Sequence, residues 1–179
     1  MNEKARRETI DHALARLHEI AREHAKSAPW QAKIKAAHEA RNDPDWEKRT
    51  RLTVEALKAV RDAGALDQIE AQILIAGSIV ALAEHRATGE PVPQMRALLR
   101  RMREIEADSG LSENDFWSEE SAVPDEWLKL SRDYEEIWDG ILAATFNQFG
   151  EANLGVSYLA NTGRGDDPYG PARRRRTGE

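Results

Sequence analysis

Arg96, Arg100 and Arg103 follow one another at intervals of four and three residues, a spacing that puts three guanidinium groups on one face of a helix. Such a face offers forked donors to carboxylates or phosphates, and each phosphate it neutralises releases counterions and makes binding salt-dependent. Arg173, Arg174, Arg175 and Arg176 form a second, consecutive cluster set among glycine and proline. Both groups are candidate contacts to a partner or to phosphate. The balance of charge argues against a dedicated nucleic-acid module: 26 Lys/Arg stand against 32 Asp/Glu, a net of −6, where such modules are basic.

Carboxylates offer a different chemistry. In EEIWDGIL, Glu136 and Asp139 are three residues apart and share a helix face, which could hold a divalent cation. Over one turn this string resembles the E-x-x-D helix of the all-α nucleoside-triphosphate pyrophosphatases of the MazG type. The resemblance implies a Mg²⁺-dependent nucleotide hydrolase built around those two residues. That family carries a second E-E-x-x-E helix upstream. Here the corresponding stretch reads EESAVPDE, interrupted by Pro124, so the second set of ligands is missing. A solvated acidic face is the preferred reading, and Glu136 and Asp139 are kept only as the weakest metal candidates.

Histidine and nucleophile patterns are poorer still. His12, His18 and His24 are spaced six apart, which turns each about 240° from the last, so they cannot converge from one helix. Glu8 and His12 have a ligand-like spacing of four, but no matching pair occurs elsewhere. His24 falls on an apolar stripe and reads as a hydrogen-bonded residue at the core edge. His38 and His85 fall near helix ends among charges. The chain has no cysteine, and it lacks G-x-S-x-G, a Walker loop, a dinucleotide fingerprint and H-E-x-x-H. Ser78 and Ser131 sit in helical patterns without a neighbouring histidine. No catalytic residue, metal or cofactor is expected. Among five tryptophans, Trp117, in the acidic DFWSEE stretch, is the candidate exposed anchor at an interface.

The elements that must position these groups are all helical. Ile10, Ala13, Leu14, Leu17, Ile20 and Ala21 form one stripe on a first helix running to about Ser27, and Pro29 separates it from a second piece over 30–41. In Asn-Asp-Pro-Asp, Asp43 reads as an N-cap with Pro44 in the first turn of a third helix that carries Trp46, Val54, Leu57 and Val60 inward and stops at Gly64. The next helix runs from Asp67 to Thr88. Its middle, ILIAGSIVALA, has no polar face, so the helix bearing Ile73, Ile79 and Val80 is expected to be the central, most buried one. Met95, Leu98, Leu99, Met102 and Ile105 mark another helix, ended by Gly110, and Ser112 could cap a short segment through Trp117. After Pro124 the pattern Trp127, Leu130, Tyr134, Ile137, Trp138, Ile141, Leu142, Thr145, Phe146, Phe149 suits one face packed along its whole length. A short helix over 151–160 and a Gly/Pro/Arg-rich tail follow.

These readings give an all-α fold: a single bundle of about five to six helices over residues 1–160, with a tail, 161–179, expected to be flexible. The longest apolar run, Ile73–Ala83 with Gly77 and Ser78 inside it, is too short to span a membrane. The charged N-terminal stretch is unlike a signal peptide, and a cytoplasmic location is expected. Charge is segregated: residues 1–64 carry 14 Lys/Arg against 11 Asp/Glu, while residues 111–160 carry 2 against 11. Segregated charge, surplus tryptophan and a basic tail favour a non-enzymatic interaction protein, a subunit, adaptor or regulator of a larger assembly that binds a protein partner or its own copies. The alternative is a nucleic-acid-associated accessory subunit that contacts the phosphate backbone through its arginines. The Mg²⁺-dependent hydrolase is a distant third.

Overall fold

A computed structural model describes residues 3–88, 93–110 and 123–162. Among them are seven helices, α1 Glu3–Glu23, α2 Gln31–Glu39, α3 Trp46–Asp62, α4 Gln68–Thr88, α5 Pro93–Ser109, α6 Asp125–Gln148 and α7 Ala152–Thr162, and no strand. The fold is all-α, with one or two helices more than the apolar patterns suggested. Trp117, the segment before Pro124 that Ser112 was expected to cap, and Arg173, Arg174, Arg175 and Arg176 lie outside the described residues. Among the described residues no helix is long and apolar enough to cross a membrane.

Helix ends follow local chemistry. Asp45, in an extended conformation, is the N-cap of α3: its carboxylate accepts from the Lys48 amide at 3.1 Å. This corrects the assignment of the cap to Asp43, whose carboxylate instead accepts from the Asp45 amide at 2.9 Å and from Lys48 Nζ at 2.6 Å. Pro44 therefore lies before the helix, and Asp43 forms the turn that presents the cap. Asp67 caps α4 by accepting from the amides of Ile69 and Glu70 at 2.9 and 3.1 Å. At the other end of α3, Gly64 adopts φ +69°, which lets the Ala65 amide reach the Val60 carbonyl at 2.9 Å and satisfies a carbonyl the helix leaves open. Gly150 repeats this after α6, with the Glu151 amide on the Phe146 carbonyl at 3.0 Å.

The main core is made by the stripe of α1, the inner faces of α2 and α3, most of α4, and the C-terminal part of α6. Leu17, Ile20, Leu57, Val60, Ile75, Ile79 and Leu82 are fully enclosed, each contributing about 1.5–3 kcal/mol relative to exposure. As its all-apolar middle implies, α4 is central: it touches α1, α3, α5, α6 and α7. The expectation fails at its N-terminal half. Ile79 and Val80 are buried, but Ile73 is 66% exposed and Ile69 68% exposed, because no described helix covers that side of α4 between α1 and α7.

The long stripe of α6 is likewise divided. Leu142 and Phe146 join the main core, with Trp138 and Ile141 against it. Trp127 instead centres a second cluster with Met102, Ile105 and Val123, and its indole N–H donates to Glu106 at 2.9 Å. One helix thus ties two apolar clusters together.

Candidate functional site

Helix α5 turns Met95, Met102 and Ile105 inward. The opposite face carries Arg96, Arg100 and Arg103, as the spacing predicts. With Leu99, Glu104 and Ala107 they line an open groove of about 510 Å³. Arg101 is held elsewhere, bonded to Glu126 at 2.9 Å and to Glu104 at 3.2 Å. Arg100 and Arg103 make no ion pair among the described residues. Guanidinium groups beside an apolar floor suit an anionic ligand that also has an apolar part. The sequence located the arginines; that Leu99 and Ala107 form the floor, and that Arg101 is neutralised from α6, required the fold.

Glu136 and Asp139 are both exposed on α6, and no group of three or more metal-ligating side chains exists among the described residues. Among the described residues no third ligand completes a cation site around them. Four of the histidines make ring contacts. His24 meets the Ile20 carbonyl through Nδ1 at 3.0 Å and stands edge-on to Trp30, although it is exposed rather than at the core edge. The fold pairs His18 with His38, ring centroids 5.7 Å apart, a contact between α1 and α2 that spacing could not reveal. Burial, then the neighbouring His18 and Arg41, pushes the His38 imidazole below its usual range. The Ser78 hydroxyl is spent on the Leu74 carbonyl at 2.8 Å.

A buried polar cluster lies where α1, α3 and α4 meet. Trp46 stacks on His85 with centroids 5.0 Å apart, and the Arg49 guanidinium lies over its ring at 4.5 Å. Arg49 is 1% exposed, donates to the Asp43 carbonyl, and has its basicity lowered chiefly by burial. Burial, and next the nearby Arg6, also push the His85 imidazole below its usual range. Close by, Arg86 joins three helices: it reaches Glu47 at 2.7 Å, Thr145 at 2.9 Å and Gln148 at 2.5 Å. The cluster serves as a structural joint.

The feature that sequence reasoning missed is an uncharged face on α4 and α7. Helix α7 reads ANLGVSYLANT, without one charged residue in a chain that is 32% charged. Its inner side is fixed by Gly155, where a Cβ would come within 2.8 Å of Phe146 Cβ, so α7 lies closer to α6 than any other residue would allow. Lys58 holds the turn before it, bonded to the Phe149 carbonyl at 2.5 Å and to Glu151 at 2.8 Å. Val156 is left 68% exposed on the outer side of α7, and Ile69 and Ile73 are as exposed on α4. Hollows of about 450 and 480 Å³ flank Ile73. The first lies against Leu154 and Tyr158 of α7, the second against Thr9 and His12 of α1. The available signal was the absence of charge in α7; the run around Ile73 read as core instead.

Comparisons with protein-family models, with curated proteins and with solved structures each return no match.

Proposed function

We propose that this chain is a non-enzymatic helical interaction protein that works as a subunit, adaptor or regulator of a larger assembly, and that it docks through the uncharged face of α4 and α7. The observation that carries the reading is two large aliphatic side chains, Ile69 and Ile73, each about two-thirds exposed beside a groove that Leu154 and Tyr158 of α7 line from the other side. Contiguous exposed apolar surface without charge is the composition of the buried centre of an interface, not of a solvated face. In a chain this rich in charge, the cost of leaving such a face in water is avoidable, and a partner that covers it accounts for it.

A second reading is supported by the α5 groove. Arg100 and Arg103, with Arg96 beside them, offer an anionic partner or a phosphate backbone a place to sit, as in a nucleic-acid-associated accessory subunit. It would show a log–log salt slope of about −2 to −3 that is lost when Arg96, Arg100 and Arg103 are replaced by Ala.

The two separate by crosslinking. A photoreactive benzophenone amino acid placed at position 72 of the full chain, on the rim of the groove, in cells, should capture one discrete polypeptide, identified by mass spectrometry and reconstituted with the purified protein. Ile73→Glu should abolish that product, while the arginine substitutions leave it intact. No product, or one indifferent to Ile73→Glu, would remove the apolar face as the docking site.

A further inference from the structure

We infer that the arginine face of α5 is a second docking surface, independent of the α4 face, and that it takes an acidic polypeptide segment with an apolar residue among its carboxylates. Arg7, Arg16, Arg41, Arg61, Arg86 and Arg101 each hold a carboxylate of this chain. Arg100 and Arg103 are exposed and hold none among the described residues, although carboxylates outnumber basic side chains 32 to 26. Helix stability does not explain where these arginines stand. The dipole of a helix favours acids in its first turn and bases in its last. Helix α5 has neither and ends instead on Glu106 and Asp108. Two neighbouring guanidinium groups without an internal acid are forked donors for carboxylate or phosphate.

The surroundings of the two arginines favour a polypeptide. The groove they line has an apolar floor in Leu99 and Ala107 and a carboxylate, Glu104, in its wall. From Arg96 to Ala107 it extends over about 16 Å of helix axis, and its charge reverses after Arg103. Glu104 and Glu126 share Arg101, at 3.2 and 2.9 Å, so two carboxylates stand against one guanidinium and that end of the face stays negative. A nucleic-acid strand brings a phosphate at every step, one per about 3.4 Å of duplex axis, and meets repulsion there. A polypeptide can set carboxylates against Arg100 and Arg103, lay an apolar side chain on Leu99, and place a neutral or basic residue opposite Glu104. Helix α6 already docks on another side of α5 by the same chemistry: Glu126 holds Arg101, while Trp127, next in the chain, packs with Met102 and Ile105.

A benzophenone amino acid at position 107 of the full chain, exposed in the groove, tests this in cells. The product should be a polypeptide that survives nuclease. The residues it joins, mapped by mass spectrometry, should lie in a segment with Asp or Glu three or four residues apart around an apolar one. A synthetic peptide of that segment should bind the purified full chain, and Arg100→Glu together with Arg103→Glu should weaken it about thirtyfold or more with the thermal melt retained. Replacing the facing carboxylates of the peptide by Lys should restore binding to that variant. Ile73→Glu should leave the position-107 product intact, so failure of the α4 face and failure of this one are told apart. A nuclease-sensitive product would give the face to a nucleic acid and overturn the inference. A product joined only to residues 111–122 of the same chain, a joined segment without carboxylates, no product at all, or a peptide indifferent to the charge reversal would each overturn it as well.

Discussion

Two glycines in helical conformation should respond in opposite directions to the same added methyl group. At Gly155 a Cβ would lie 2.8 Å from Phe146 Cβ and 2.9 Å from Phe146 Cγ, well inside contact distance. Those atoms cannot rotate away, because Phe146 is itself fully buried in the main core. The Gly155→Ala change must therefore push α7 off α6, at a cost of about 2–3 kcal/mol from overpacking, against about 1 kcal/mol regained from helix propensity. The net loss is about 1–2 kcal/mol, or about 2–8 °C in Tm for a chain of this size. At Gly140, exposed in the middle of α6, a Cβ meets nothing within 4 Å. Gly140→Ala should then gain the propensity term alone, about 1 kcal/mol and about 2–4 °C. Thermal melts of the two variants beside the parent measure the contrast, and limited proteolysis should find the segment around α7 cut faster in Gly155→Ala only. Equal shifts for the two, or a Gly155→Ala protein melting at or above the parent, would refute the close approach of α7 to Phe146.

Val80, 6% exposed in α4, should not accept a charge: Val80→Asp leaves an unpaired carboxylate in the core, costs about 3–5 kcal/mol, and should abolish the cooperative melt followed by circular dichroism. Arg49→Ala should cost about 2–3 kcal/mol in urea unfolding, by removing the stem and cation packed on Trp46 and opening a cavity, whereas Arg49→Met, which keeps the apolar stem, should cost clearly less. The imidazoles of His38 and His85 are both pushed below the ordinary histidine range by burial, so the unfolded chain binds more protons than the folded one as pH falls through about 6.5. Stability should be fully present above that pH and decline below it until the folded histidines also protonate. The buried Glu84 carboxyl, raised by burial, works in the opposite sense at lower pH. Unfolding at pH 7 and pH 5.5 should therefore show a smaller difference in His85→Gln than in the parent, and an unchanged difference would disprove the role of its burial.

By itself the sequence determined what depends on near neighbours along the chain. Apolar residues at intervals of three and four force helices wherever they recur, and Gly64, Gly110 and Gly150 end them because a left-handed residue is cheapest there, as their φ values of +69°, +67° and +69° show. The stripe of Arg96, Arg100 and Arg103 was legible for the same reason: residues on one helix share a face whatever the helix packs against. The tertiary structure decided everything that depends on which faces meet. Periodicity cannot tell a helix enclosed on all sides from one enclosed over half its length, so Ile73 and Val80, seven residues apart on one face, look alike in the chain and differ in exposure because no described helix covers that face around Ile73. The pairing of His18 with His38, the stacking of His85 and Arg49 on Trp46, and the division of the α6 stripe between two clusters arise from contacts between residues far apart in sequence. Even the shift of the cap from Asp43 to Asp45 turned on backbone geometry, since either carboxylate fits the pattern and only the extended residue next to the first helical amides can cap them.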